Sequence, residues 1–225
     1  LIFVPVKNSY LYLHGFCSSP QSAKAKYFNQ RFQSLGINLI CPDLNEPDFA
    51  TLTLTRQIEQ VQALLPSYPA TLIGSSLGGL TAALVAETNP QVDRLVLLAP
   101  AFNFLDHWLP RLGSQDVAQW QHTGSRSLYH YGAEADRSLH YGFIKDCQAP
   151  QYRVESLHRS LPTLILHGNQ DEVIPLQASQ NYAASRPWVK VVELDSDHNL
   201  ANVISVLWQE TRHFLWERPS CAALL

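Results

Sequence analysis

Short apolar runs recur along the chain, and between them lie longer stretches whose apolar residues return every three or four positions. The runs at residues 10–14, 37–41, 70–74, 94–98, 163–167 and 189–194 are predicted strands. Several are apolar almost throughout, as befits strands covered on both faces in a parallel sheet. Helices are predicted at 21–34, 52–65, 77–88, 176–185 and 201–216. The first follows Ser19 as candidate N-cap, with Pro20 in the opening turn. The others stop ahead of Pro66, Pro90, Pro187 and Pro219, since proline cannot continue a helix. Repeated β-α-β units predict a doubly wound, mostly parallel sheet with helices on both faces. Ligands of such sheets bind beyond the carboxyl ends of the strands, so the chemistry is expected just after each apolar run.

Residues 101–161 break the alternation. They hold Trp108, Trp120, Tyr129, Tyr131 and Tyr141 together with His107, His122, His130 and His140. A near-repeat, 128–132 and 139–142, brackets the polar stretch 133–138 and predicts a short hairpin with the repeats as its arms. An insertion placed before the strand at 163–167 would lie over the strand ends as a cap. The expected organisation is one domain over residues 1–225 with a cap at about 101–161. No larger repeat, low-complexity tract or linker stands out.

Composition narrows the function classes. With 225 residues, 46% hydrophobic and 16% charged, the chain can bury one sizeable core. A formal net charge of -3 and no basic stripe argue against a nucleic-acid partner. No apolar run approaches the ~20 residues that span a bilayer. Residues 1–6 are apolar but interrupted by Pro5, followed by Lys7 and Asn8, and lack a basic leader, so they make a poor signal peptide. The chain begins without Met, which leaves a trimmed leader open. Cys17, Cys41, Cys147 and Cys221 form no C-x-x-C pair, which suggests neither a disulfide framework nor a zinc site. Reduced thiols and a cytoplasmic location are expected. Cys221 stands fifth from the end, one place short of a prenylation box.

The chemistry centres on residues 71–80, Thr-Leu-Ile-Gly-Ser-Ser-Leu-Gly-Gly-Leu. Gly74, Ser76 and Gly78 spell G-x-S-x-G between an apolar run and a helical pattern. A serine on so tight a turn is held out as a nucleophile, and its neighbours must be small. A hydroxyl needs a base within hydrogen-bond reach, and the base needs a partner that fixes its tautomer. Asp171 lies just beyond the run at 163–167, in His167-Gly168-Asn169-Gln170-Asp171. His198 follows the last run, in Asp195-Ser196-Asp197-His198-Asn199. Ser75 is the rival nucleophile, and Glu172, Asp195 and Asp197 are rival acids. His14 reads as a structural turn residue and His167 as a satisfied residue at the end of a buried strand. The cap histidines show no H-x-x-x-H or H-E-x-x-H spacing, so no metal is expected.

The order serine, acid, histidine, each at a strand's carboxyl end, resembles the α/β-hydrolases from Tyr10 to about Trp216. More narrowly, Tyr12-Leu13-His14-Gly15-Phe16, with Ser18-Ser19-Pro20, Ser22 and Lys24, is similar to the small bacterial YqiA/YcfP-type esterases. The resemblance implies an α/β-hydrolase fold whose cap precedes the strand carrying the acid. It implies Ser76 as nucleophile, His198 as base and Asp171 as its orienting acid, with the backbone N–H groups of Phe16 and Leu77 as the oxyanion hole. The implied reaction is hydrolysis of a small carboxylic ester through an acyl-enzyme, without a cofactor. A thioesterase or an acyltransferase would use the same residues. The aromatic cap also suits a non-catalytic protein that binds a ligand on this scaffold. The resemblance gives Ser22 and Lys24 no defined role.

Overall fold

A computed structural model describes residues 8–216. In chain order the main elements are β1 (Ser9–Leu13), α1 (Ala23–Ser34), β2 (Leu39–Ile40), α2 (Leu54–Leu64), β3 (Ala70–Ser75), α3 (Leu77–Thr88) and β4 (Val92–Leu98). The cap contributes α4 (Phe104–Leu112), α5 (Ser114–Thr123), β5 (Ser125–His130), β6 (Ala135–His140) and α6 (Gly142–Cys147). The chain then returns to the core with β7 (Thr163–Gly168), α7 (Leu176–Ala183), β8 (Val189–Leu194) and α8 (Ile204–Trp216).

The core is a six-stranded sheet in the order β2-β1-β3-β4-β7-β8, parallel at every pairing. Side chains alternate across a strand, so each apolar run feeds two cores. Tyr10, Tyr12, Ile73, Val96, Leu98, Leu164 and Leu166 face one side, packed with Phe28 and Phe32 of α1 and Trp208 of α8. Leu11, Leu13, Leu72, Leu95, Leu97 and Ile165 face the other, with α2, α3 and the cap. Helix α3 is buried from Leu77 to Ala86, which explains why it is apolar all round rather than amphipathic. The architecture is the α/β-hydrolase fold, a doubly wound parallel sheet with cap helices inserted between β4 and β7.

Three local expectations need correction. Ser22, not Ser19, caps α1, accepting the Ala25 N–H at 3.3 Å. Ser19 instead holds the preceding turn, its Oγ accepting from Gln21 N at 3.2 Å. Only Leu39 and Ile40 of the run at 37–41 pair with β1. The hairpin exists, but its arms are not the near-repeat. Ser125 pairs with His140 and His130 with Ala135, so residues 135–138 belong to a strand. The turn sets this register: Ala133 N donates to His130 O at 3.0 Å and Glu134 takes the left-handed conformation.

Among the described residues no helix is long and apolar enough to cross a membrane. The apolar residues 1–6 and Cys221 lie outside the described residues.

Candidate active site

Ser76 sits between β3 and α3 with φ 52° and ψ -118°. That conformation costs a non-glycine residue about 1–3 kcal/mol and persists only where its surroundings enforce it. Here they do. Ser76 N donates to Leu98 O at 2.9 Å, and its carbonyl accepts from Gly79, Leu80 and Ala101. The turn closes tightly because Gly74 and Gly78 meet backbone to backbone, and Gly78 lies against the carbonyls of Leu13 and His14. A Cβ at either position would overlap main chain that cannot swing aside.

Two further loops reach the serine. One leaves β7 and carries Asp171; the other leaves β8 and carries His198. Gly168, at the end of β7, packs directly on the carbonyls of Ser196 and Asp197, which fixes the spacing of the two loops. His198 Nδ1 lies 2.7 Å from Asp171 Oδ2, and Nε2 lies 3.0 Å from Ser76 Oγ. The carboxylate only accepts, so Nδ1 carries the proton and Nε2 turns its lone pair to the serine hydroxyl. Serine, histidine and aspartate thus form one hydrogen-bonded line.

Asp171 is enclosed, with its side chain fully out of solvent. Oδ1 accepts from Val173 N and Ile174 N, both at 2.8 Å. Oδ2 receives a second histidine, His167 Nε2, at 3.0 Å. Burial alone would raise the carboxyl pKa. Hydrogen bonds from His167, His198 and the Ile174 amide outweigh it and hold the pKa well below the usual carboxylate range. His167 Nε2 also lies 2.9 Å from Ile174 O, so it faces two acceptors and carries the proton. Its Nδ1 accepts from Ser179 Oγ at 2.7 Å. The sequence presents His167 as a satisfied core residue, and it is one. The sequence does not reveal its grip on Asp171, although its position four residues earlier, at the strand's end, places it where the loop returns.

The rival residues are elsewhere engaged or turned away. Ser75 is buried at the end of β3. Asp195 accepts from Gln170, and Asp197 accepts from the amides of Asn199 and Leu200. Glu172 is exposed. His14 is a turn residue: Nδ1 donates to Gly15 O at 2.9 Å and Nε2 accepts from Leu44 N at 3.0 Å.

The loop after β1 passes over the serine. A Cβ on Gly15 would lie 3.3 Å from Ser76 Cβ, which brings the Gly15–Phe16 segment alongside Ser76. The Phe16 ring stacks on Phe143 at 5.1 Å and meets Trp108 edge-on at 5.3 Å, which ties this loop to the cap. The Leu77 amide opens α3, where helix N–H groups point outward and favour negative charge. The cap hairpin reaches the same loop, with Gly132 N donating to Cys17 O at 3.3 Å. A cavity of about 200 Å³ lies between core and cap, walled by Leu54, Leu80, Phe104, Leu109 and Tyr152 among others, but by none of Ser76, Asp171 and His198. Among the described residues no cluster of three or more His, Cys, Asp or Glu is arranged to hold a metal.

Comparison with known proteins places this site in context. The family described as uncharacterised protein family UPF0227 matches residues 9–215. Mouse palmitoyl-protein thioesterase ABHD10, mitochondrial, is 26% identical over 183 residues, covering 77% of this chain. The chain spans 62% of that relative's length. A solved structure of mouse ABHD10 superposes with a TM-score of 0.74, covering 90% of this chain and 87% of that one at 26% identity. A protein of Agrobacterium vitis S4 gives 0.79 at 25% identity, covering 92% and 88%. Est1E of Butyrivibrio proteoclasticus with ferulic acid bound gives 0.72 at 19% identity over 92% and 88%, a likeness of fold.

Proposed function

The chain belongs to the UPF0227 family, and from the geometry of its site we propose that it is a serine hydrolase cleaving a small carboxylic ester through an acyl-enzyme on Ser76. The observation that carries this reading is the line from Ser76 Oγ through His198 to the enclosed carboxylate of Asp171. His198 Nε2 takes the serine proton as Oγ attacks the acyl carbonyl. Asp171 holds the imidazole in place and balances the imidazolium that forms. The oxyanion is received by the N–H groups of Leu77 and Phe16, each such donor being worth roughly 3–4 kcal/mol. Collapse expels the alcohol, which takes the proton from His198. Water then enters, gives a proton to His198 and attacks the acyl carbon, and the departing serine recovers that proton.

The aromatic rings gathered on Phe16 favour an apolar or aromatic acyl group. Thioester cleavage is the second reading, supported by the name of the mouse relative. The narrower kinship with YqiA/YcfP-type esterases rests on residues 12–26. A reducing, cytoplasmic setting accords with the buried thiol of Cys17 and the half-buried thiol of Cys41, whose pKa values desolvation pushes up to about 12 and about 11.

Labelling with a fluorophosphonate, followed by peptide mapping, tests the proposal. One adduct on Ser76, absent in Ser76→Ala, is the expected result. Folded wild-type protein that takes up no label at neutral pH would overturn it in favour of a ligand-binding scaffold. Matched acetate, butyrate and octanoate esters and thioesters then separate the two substrate readings.

A further inference from the structure

Lys24 is the second residue of α1, in its opening turn. Its Nζ donates to Asn199 O at 2.6 Å, across 175 residues of chain. Asn199 is the residue after His198. The contact therefore ties the loop carrying His198 to the helix that follows the Phe16 turn. We infer that Lys24 is a positioning residue: its ammonium anchors the His198 loop to α1 and sets a positive charge behind the Asp171–His198 pair. This role rests on the hydrolase reading above.

Local physics argues against a lysine here, which is what makes it informative. The first turn of a helix is its positive end, where a cation is disfavoured. Burial lowers the Lys24 pKa to about 8, offset in part by the charges of Asp197 and Asp171. A cation kept at such a place needs compensation, and the compensation comes from the site's own carboxylates. The charged groups facing it are Asp197 in the loop after β8 and Asp171 in the loop after β7. On its own helix Lys26 is exposed and Arg31 turns to the Tyr27 hydroxyl. Helix α8 meets α1 through Trp208 and Trp216, while its Glu210 pairs with Lys190.

The same contact makes sense of a whole stretch of sequence. Ser19 folds the turn after the oxyanion loop, accepting from Ser22 N through its carbonyl at 3.1 Å. Ser22 then caps α1, and Lys24, two residues along, reaches the histidine loop. Within that loop Asp197 Oδ1 accepts from the amides of Asn199 and Leu200, and Lys24 donates to the Asn199 carbonyl. Removing the cation has two consequences. The loop loses its tie to α1, and the positive charge that opposes a further proton at the site is gone.

The test measures the rate of fluorophosphonate labelling against pH for wild type, Lys24→Met and Lys24→Arg. Methionine has nearly the volume of lysine without charge or donor, and arginine keeps both. Thermal unfolding verifies that each variant folds. Lys24→Met is expected to label about tenfold more slowly at neutral pH, with the acid limb of its profile moved to higher pH by about half a unit. Lys24→Arg is expected to stay within about threefold of wild type with its limb in place. Wild-type rate and limb in Lys24→Met would overturn the inference. So would a slow Lys24→Met with an unmoved limb, or a Lys24→Arg that behaves like it. A wild type that does not label overturns the hydrolase reading instead, and this role with it.

Discussion

His167 Nε2 lies 3.0 Å from Asp171 Oδ2, so the carboxylate that faces His198 is gripped by a second, wholly buried histidine. The two imidazoles approach the same oxygen, and the backbone amides of Val173 and Ile174 take the other. Asp171 is therefore fixed in position, and its charge is retained in an environment that would otherwise expel it.

Replacing His167 by leucine should loosen that arrangement. It removes a donor to Asp171 and leaves the Ile174 carbonyl and the Ser179 hydroxyl without their partner. Losing a buried hydrogen-bonding group costs about 1–3 kcal/mol, readable as a lower urea midpoint. On the proposed hydrolase reading, fluorophosphonate labelling of Ser76 should slow with it, because Asp171, the hydrogen-bond partner of His198, is less firmly held. His167→Gln, which keeps a donor, should recover part of both. Unchanged stability and labelling in His167→Leu would make the contact incidental.

Gly168→Ala should damage the site by a different route. The added methyl would overlap the carbonyls of Ser196 and Asp197, both main chain. Relief requires the Asp171 and His198 loops to part, at about 1–3 kcal/mol or more. Gly142→Ala makes the contrast, since nothing lies within 4 Å of its Cβ position and it stands at a helix start. There, loss of unfolded-chain freedom should raise stability by about 0.4–1 kcal/mol. Equal thermal midpoints for the two variants would count against this account of the loop packing.

Much of the fold was legible because the strands are covered on both faces. Continuous apolar runs such as 94–98 and 163–167 announce a parallel sheet without any alternation to interpret. The elbow at Ser76 and the loops holding Asp171 and His198 were legible because the sheet places ligand chemistry after strand ends. What was not legible depends on geometry between distant segments or on choices between equivalent residues. Two serines bracket Pro20, and nothing in their order says that Ser22 caps the helix. The near-repeat of the cap suggested arms that the turn at Ala133 and Glu134 shifts out of register. The bond from Lys24 to Asn199 joins residues with no common pattern.

The acid stability of the protein should carry the signature of Asp171. Its folded pKa lies well below the ordinary carboxylate value because His167, His198 and the Ile174 amide favour the charged form. A depressed folded pKa means that, as pH falls below about 4, the unfolded chain takes up the proton while the native state resists it. The contribution is thus complete above the unfolded pKa and is lost as pH falls toward the folded one. Asp171→Asn lacks this linkage. It should be less stable than wild type at pH 7, by on the order of 2 kcal/mol for the charge-assisted hydrogen bonds removed. The gap should stay level down to about pH 5 and narrow steadily below about pH 4. Urea unfolding of both proteins between pH 7 and pH 2.5 measures it. A gap that stays constant across that range would show that the Asp171 charge contributes nothing to folding.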